Sequence, residues 1–277
     1  MDQWKKLHVL GAGSFEKVCY AVKIHPSSSF LSASVAAVKC ADMHRSISLQ
    51  QEAEILTTLK DSPYVVQFIG ADVSIDNGNI PTYNLLLEYA SGGSLHDRSM
   101  FLYISNLQHV HKKRWVHSDI KPANAEHGGM HKLKLADFGL SLRVPKEVAY
   151  MTGSTLSNRG TLIYAPPESL TSGFHGRAYD IWLVGCTVAE MMTGSHVWIY
   201  RNTRDLQSQI MNEYPMIRVN VSEMANDLLN KCLIKDPLRR WTSEQLLQHP
   251  FIQQAICTQN SEKDSKGQSF WLHSCNT

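Results

Sequence analysis

A short polar segment near the middle of the chain carries side chains that could act together on a phosphate group. Asp119, Lys121 and Asn124 lie close together, and Asp137 follows them in the sequence Asp137-Phe138-Gly139. This set supplies a carboxylate base, a cation and two oxygen ligands. Mg²⁺ that binds together with substrate phosphates prefers such oxygen ligands. The segment therefore indicates phosphate chemistry that depends on magnesium.

A lysine and a glutamate upstream could form a second charged group. Lys39 ends the strand-like sequence Ala36-Ala37-Val38-Lys39, and Glu52 follows in a segment with helical periodicity. A lysine on a buried strand needs a paired charge. Glu52 is the expected partner because its neighbours face the core, and Glu54 is the competitor. The alternative is a surface lysine with an unrelated surface glutamate.

A glycine-rich turn precedes these residues, with the sequence Leu10-Gly11-Ala12-Gly13-Ser14-Phe15. Glycines lack the Cβ atom that would keep backbone amides away from phosphate oxygens. The turn leads into a second strand, whereas a dinucleotide-binding turn would lead into a helix. An ordinary β-hairpin therefore remains an alternative interpretation.

The elements that must position these residues fall into two groups. Residues 7–24 predict a hairpin, Val35–Cys40, Val65–Ile69 and Tyr83–Tyr89 predict strands, and Ser48–Lys60 predicts one helix among them. After the break at 91–94 the pattern becomes mostly helical. The predicted helices there are Phe101–His111, Tyr179–Met192, Asp205–Glu213, Ser222–Leu233 and Ser243–His249. This order predicts a two-lobed α+β fold with a small β-rich lobe, a larger α-helical lobe and a ligand cleft between them.

Composition excludes several classes of protein. The chain has 277 residues, of which 43% are hydrophobic and 19% charged, as in ordinary globular proteins rather than disordered or collagen-like chains. A formal net charge of +2 is too small to favour nucleic acid or an anionic membrane as a partner.

Cysteine spacing and hydropathy indicate the cellular compartment in which we expect the protein. The 6 cysteines are too scattered for a zinc knuckle or a C-x-x-C pair, and the N-terminus has no apolar signal region. The longest apolar run, Ile181–Met192, is interrupted by Gly185 and Glu190 and is too short to span a bilayer. We expect a soluble intracellular protein in the cytoplasm, with the nucleus as a second location.

Taken in order, these motifs resemble a eukaryotic protein kinase. The segments Tyr83–Leu95 and Asp236–Phe251 are similar to those of plant MAP kinase kinase kinases, which are serine/threonine kinases. Asp180–Cys186 likewise resembles the anchoring helix of the large kinase lobe. The resemblance implies a kinase domain at 4–253, with the N-lobe at about 4–88, the hinge at 88–93 and the C-lobe at 94–253. Residues 254–277 read as a loose tail.

The resemblance also implies roles for the polar residues. Asp119 would accept the proton of the substrate hydroxyl, Lys121 would neutralise the γ-phosphate, and Asn124 and Asp137 would hold Mg²⁺. Lys121 and Thr161 point to serine or threonine as the acceptor. The implied cofactors are ATP and Mg²⁺, and the implied partner is a protein substrate, most simply a MAP kinase kinase.

The implied ATP site extends across the small lobe to the hinge. Lys39 would hold the α- and β-phosphates with Glu52 as its partner, and the backbone at Glu88 and Ala90 would bind adenine. Leu87 would guard the back of the pocket. The other implied ATP-binding residues are Leu10, Gly11, Ala12, Gly13, Ser14, Phe15, Val18 and Ala37. A regulatory spine of His117, Phe138, Leu56 and Phe68 would stack behind the site.

Several positions depart from the kinase pattern. Glu16 replaces the third glycine of the turn, Ser118 replaces the arginine of His-Arg-Asp, and Glu126 replaces a leucine that would support adenine. Without that arginine, an activation-loop phosphate loses its usual counter-ion. Glu168 is present together with its expected partner Arg240.

The segment between Gly93 and Asp119 is shorter than two helices require. Only Phe101–His111 has room to be a helix, with 97–100 as a connector and an apparent deletion there. The shortened region and Glu126 leave a second hypothesis open. In it, the chain is a kinase-like binding module with weak or no ATP turnover.

Overall fold

Five strands form an antiparallel sheet in the first part of the chain. The computed structural model describes residues 3–12, 16–24, 34–60, 62–63, 65–76, 80–89, 99–127, 133–146, 148, 150–153, 159–217 and 221–254. The strands are β1 (Gln3–Ala12), β2 (Lys17–Ile24), β3 (Val35–Asp42), β4 (Phe68–Asp76) and β5 (Ile80–Glu88). Their order in the sheet is β1-β2-β3-β5-β4. The antiparallel pairing of β1 with β2 confirms the predicted hairpin.

The strand predicted at Val65–Ile69 is placed wrongly by the sequence pattern. Val65 and Val66 are buried, but they precede the strand and contact the large lobe, where the Val66 amide donates to the Leu135 carbonyl at 3.1 Å. β4 itself runs on to Asp76 through polar residues. Two of these polar residues, Asp72 and Ser74, are held against β5, where the Asn84 side chain donates to both. At this point of the chain the fully buried residues, Val65 and Val66, are therefore not the residues that form the strand.

One helix, α1 (Ile47–Leu59), packs on the sheet. Its buried residues recur at helical spacing, as the sequence pattern predicts, and include Glu52 among apolar neighbours such as Leu49 and Leu56. Glu54 lies on the exposed face. The helix therefore turns one carboxylate towards the sheet and the other towards solvent.

Helices dominate the second part of the chain. They are α2 (Ser99–Lys112), α3 (Pro167–Ser172), α4 (Arg177–Thr193), α5 (Thr203–Asn212), α6 (Glu223–Cys232) and α7 (Ser243–Leu247). Short strand pairs join them: β6 (Trp115–Val116) with β9 (Leu142–Arg143), β7 (Ala125–His127) with β8 (Leu133–Leu135), and β10 (Tyr150–Met151) with β11 (His175–Gly176). This confirms the predicted two-lobed α+β fold.

Helix α2 contains the predicted Phe101–His111 and extends it at both ends. Ser99 and Met100, predicted as connector, begin the helix, while Asp97 and Arg98 lie outside the described residues. Within residues 99–119, α2 is the one helix, and residues 90–98 lie outside the described part.

Helix α4 forms the centre of the large lobe. Residues Tyr179–Ala189 are buried along its whole circumference, with Trp182 fully enclosed. The helix ends where Gly194 adopts a left-handed conformation with φ 68° and its amide donates to the Glu190 carbonyl. A helix that is apolar all round must lie inside a protein or a membrane. Among the described residues, no helix is both long and apolar enough to cross a bilayer.

A buried ion pair ties the start of α3 to the end of the domain. Arg240 donates to both carboxylate oxygens of Glu168, at 2.7 and 3.0 Å, and both residues are buried. Bidentate geometry of this kind gives the stronger charge-assisted hydrogen bonds. The pair predicted from the sequence therefore forms.

Replacing Glu168 by alanine would leave the Arg240 guanidinium buried without its carboxylate. We expect the Glu168→Ala variant to lose about 3–5 kcal/mol of unfolding free energy in urea titrations. The matched control is Arg201→Ala, because Arg201 pairs with Asp205 while its side chain is 90% exposed. That change should cost less than about 1 kcal/mol. Equal, small losses in the two variants would contradict a structural role for the buried pair.

Candidate active site

The loop that carries Asp119 is attached to α4 by one buried carboxylate. Asp180 accepts hydrogen bonds from the backbone amides of His117 and Ser118, each at 2.8 Å, and from the His111 ring at 2.9 Å. Ser118 adopts a left-handed conformation with φ 69°. This sharp turn directs the next residue, Asp119, away from the helix.

Three side chains contact the Asp119 carboxylate. Thr161 donates its hydroxyl to Oδ1 at 2.7 Å, and Lys121 and the Asn124 amide donate to Oδ2 at 2.8 and 2.9 Å. Lys121 also donates to the Thr161 hydroxyl at 2.9 Å. The structure thus brings together all the residues predicted around Asp119, and it fixes the orientation of the carboxylate.

A second charged group lies opposite, where the sheet meets α1. Lys39 Nζ is 2.7 Å from Glu52 Oε2 and 3.1 Å from Asp137 Oδ1. Glu52 also accepts the Phe138 backbone amide at 3.2 Å. One buried ammonium therefore connects β3, α1 and the Asp137-Phe138-Gly139 turn. Glu52, not the exposed Glu54, is its partner.

The charges in this group stabilise one another. Burial alone would lower the pKa of Lys39, but the carboxylates of Glu52 and Asp137 raise it above its ordinary value. Burial would raise the pKa of Asp137, yet Lys39 holds it below the usual aspartate value. Lys39 is therefore a cation and Asp137 a carboxylate at neutral pH.

Asn124 and Asp137 fit a hard divalent cation. The Asn124 amide nitrogen donates to the Asp119 backbone and carboxylate, so its amide oxygen is the atom that remains for a ligand. Asp137 contacts Lys39 through Oδ1, and its side chain is 41% exposed. The described residues hold no cluster of three histidine, cysteine or acidic side chains. Two protein oxygens completed by phosphates and water match the way Mg²⁺ binds.

Of the remaining predicted ATP-binding residues, Val18, Ala37 and Leu87 lie on the same face of the sheet as Lys39. Val18 lies opposite Lys39, and Ala37 lies opposite Leu87, which is buried. Leu10, Gly11 and Ala12 lie at the exposed end of β1. The structure does not describe Gly13, Ser14, Phe15 and Ala90.

The side chain of Glu88, at the start of the predicted hinge, is engaged by two other groups. Its carboxylate accepts the Gln67 backbone amide at 2.9 Å and contacts the ammonium of Lys134. Lys134 lies on β8 of the large lobe and is buried. Sequence reasoning missed this contact between the hinge and the large lobe. In the sequence Lys132-Leu133-Lys134-Leu135, Lys134 looks like a solvent-facing residue of a short strand.

Glu16 has a partner that the sequence pattern does not reveal. The sequence shows only that Glu16 replaces a glycine, whereas in the structure its Oε1 accepts the Ser48 hydroxyl at 2.8 Å. Its Oε2 lies 3.9 Å from Lys39 Nζ. Glu16 therefore joins the glycine turn to α1. The side chain of Glu126 lies outside the described part, so its predicted effect on adenine binding is untested.

The four residues predicted as a spine are placed behind the site. The His117 and Phe138 rings are 4.6 Å apart, and His117 Nε2 lies 3.0 Å from the Ala136 carbonyl oxygen. Leu56 is buried, and Phe68 packs against the same core from β4. Leu56, Phe68 and Phe138 therefore belong to one apolar core, and His117 contacts it through Phe138.

Comparisons with known proteins agree with this geometry. A family model described as protein kinase domain matches residues 4–252. Mitogen-activated protein kinase kinase kinase 20 of Arabidopsis thaliana is 34% identical over 271 residues, which cover 90% of this chain and 78% of that protein. Kinase kinase kinase 18 of the same plant is 36% identical, covering 90% and 77%. The human mitogen-activated protein kinase kinase kinase 4 is 30% identical over 92% of this chain and 16% of its own length.

Replacing Lys39 by methionine would leave Glu52 buried without a cation. Burial raises the pKa of Glu52 above the ordinary value of 4.5, so the folded variant binds more protons than the unfolded chain. We expect the unfolding free energy of Lys39→Met to fall as the pH rises above the ordinary glutamate pKa, in urea titrations. The control is Lys39→Met combined with Glu52→Gln, which has no carboxyl group at position 52 and should lack the part of this slope that Glu52 causes. Parallel pH profiles for the two variants would contradict the assignment.

Proposed function

This chain belongs to the protein kinase family and is a serine/threonine protein kinase, and we propose that it phosphorylates a MAP kinase kinase. The reaction would transfer the γ-phosphoryl group of ATP to a serine or threonine hydroxyl of that protein. The names of the plant relatives, mitogen-activated protein kinase kinase kinases, support this class of substrate. The proposed location in a signalling cascade rests on the same relatives.

The arrangement around Asp119 is the observation that carries the proposal. Its carboxylate is held from both sides by Thr161, Lys121 and Asn124, and the residue is buried to 5% exposure. A fixed carboxylate can orient a substrate hydroxyl and accept its proton as the oxygen attacks phosphorus. Because Thr161 also contacts Lys121, base and cation keep a constant separation.

Two lysines would flank the transferred group. Lys39, held by Glu52 and Asp137, would contact the α- and β-phosphates, and Lys121 would balance negative charge on the γ-phosphate. Asn124 and Asp137 would hold Mg²⁺, which when bound neutralises charge between phosphate oxygens. Catalysis would therefore consist mainly of positioning and charge neutralisation.

One observation favours the second hypothesis, a kinase-like binding module. Between the hinge and the catalytic loop the described residues form a single helix, α2. Such a module would keep the fold and its protein contacts without turnover. The complete set of charged contacts around Asp119 and Lys39 favours the enzyme.

The Asp119→Asn variant should lose phosphoryl transfer while it keeps its fold. We expect a fall in kcat of about 10²- to 10⁴-fold, because the amide cannot accept the hydroxyl proton. The measurement is incorporation of labelled phosphate into a purified MAP kinase kinase and into a general serine/threonine substrate. Glu54→Gln, at an exposed position of α1, is the control. Wild-type rates in Asp119→Asn would contradict the role of Asp119, and transfer to the general substrate alone would contradict the proposed protein substrate.

Nucleotide binding separates the enzyme from the module. We expect Mg·ATP at 100 times its Kd to stabilise the wild-type protein by about 2.7 kcal/mol, visible as an increase in Tm. Asp137→Asn should reduce the increase because it removes a carboxylate ligand of the metal. An unchanged Tm at millimolar Mg·ATP would favour the binding module.

A further inference from the structure

Residues 159–161 lie across the catalytic loop and contact it at successive positions. Arg159 Nε donates to the backbone carbonyl of Leu140 at 2.8 Å, directly after the Asp137-Phe138-Gly139 turn. Thr161, two residues later, donates to Asp119. This segment, called here segment 159–161, therefore touches the metal-binding turn at one end and the proposed base at the other.

Helix α4 holds the backbone of this segment through the side chain of Tyr179. The Tyr179 hydroxyl donates to the Arg159 carbonyl at 2.7 Å, and the Tyr179 ring stacks on His175 with centroids 4.2 Å apart. Tyr179 is fully buried, and burial raises the pKa of its hydroxyl, so it stays protonated and able to donate. The carbonyl of Arg159 is thus held by α4 while its side chain reaches the Leu140 carbonyl.

Gly160 allows the close approach of the segment to the loop. It adopts a left-handed conformation with φ 86°, and a Cβ atom there would overlap the Ser118 carbonyl oxygen and lie 3.1 Å from the Tyr179 hydroxyl. A side chain at this position would push the segment off the loop. The backbone of segment 159–161 is therefore seated directly on Ser118.

Ser118 contributes no charge to this contact. Its side chain is buried, and its hydroxyl has no hydrogen-bond partner among the described residues. The cation at this junction comes from Arg159 instead, and in the described part of the chain no carboxylate lies within ion-pair distance of it. A neutral carbonyl, that of Leu140, is its hydrogen-bond acceptor.

We propose that Arg159 is a positioning residue, whose hydrogen bond to Leu140 holds the metal-binding turn and the proposed base in register without any added phosphate. The inference rests on the proposed phosphoryl transfer by Asp119. Displacing Leu140 would shift Asp137, which lies three residues before it, relative to Asp119. Small displacements of this kind reduce rates strongly because the reacting groups must be held in one geometry.

Two substitutions at position 159 separate the hydrogen bond from the charge. Glutamine places its Nε2 at the same number of bonds from Cα as arginine Nε, so Arg159→Gln keeps a donor for Leu140 without the charge. Arg159→Met has similar length and no donor. Arg201→Met, at an exposed arginine, is the matched control. Each protein is treated with a serine/threonine phosphatase, which is then removed before the assay.

We expect the phosphatase-treated wild type, Arg159→Gln and Arg201→Met to phosphorylate a general substrate at similar kcat. Arg159→Met should lose about 10- to 100-fold in kcat, with KM for ATP nearly unchanged. Tyr179→Phe, which frees the Arg159 carbonyl, should reduce kcat in the same direction. Wild-type kcat in Arg159→Met, equal losses in Gln and Met, or loss of wild-type activity on phosphatase treatment would each overturn the inference.

A measurement without substrate keeps this test separate from that of the proposed function. Amide hydrogen exchange at residues 138–144 should be faster in Arg159→Met than in Arg159→Gln, because the Leu140 carbonyl loses its donor. Equal exchange in the two variants overturns the positioning role whether or not the protein is active. An inactive wild type whose exchange still differs between the variants contradicts only the proposed function.

Discussion

Asp180 has no contact with water, and donors from α2 and the catalytic loop supply the hydrogen bonds that its carboxylate needs. A buried charge without such donors would cost several kcal/mol. The amides of His117 and Ser118 must therefore point at α4, and Ser118 takes a left-handed conformation to achieve this. Asp119 is then the first residue free to face the cleft. The position of Asp119, the proposed base, therefore follows from the hydrogen bonds that the buried Asp180 carboxylate needs.

The two lobes share a second electrostatic constraint. Lys39 belongs to the sheet, Glu52 to the helix on the sheet, and Asp137 to the large lobe, and the ammonium contacts both carboxylates. The hinge adds another contact through Glu88 and Lys134. Motion of one lobe against the other would have to break charged contacts in a partly dry environment, where they are stronger than in water. The relative position of the lobes is therefore restrained by charge as well as by the chain.

The resemblance to kinases implied the pairing of Lys39 with Glu52, whereas local patterns in the sequence were enough to predict the hairpin and α1. Each depends on periodicity over a few residues, which a single sequence records directly. The pattern failed at Val65–Ile69, because burial against the other lobe resembles burial within a strand. It also missed the contacts of Glu16 with Ser48, Lys134 with Glu88 and Tyr179 with Arg159. These join segments that are distant in the chain and leave no periodic signal.

The engagement of Glu88 has a consequence for small molecules that compete at the hinge. Its carboxylate is engaged by the Gln67 amide and the Lys134 ammonium, and its own backbone amide donates to the Gln67 carbonyl at 2.9 Å, so these groups of Glu88 already have partners. Peptide groups are chemically the same in every related enzyme. Selective compounds would have to recognise shape instead, and the Leu87 side chain next to Glu88 is buried.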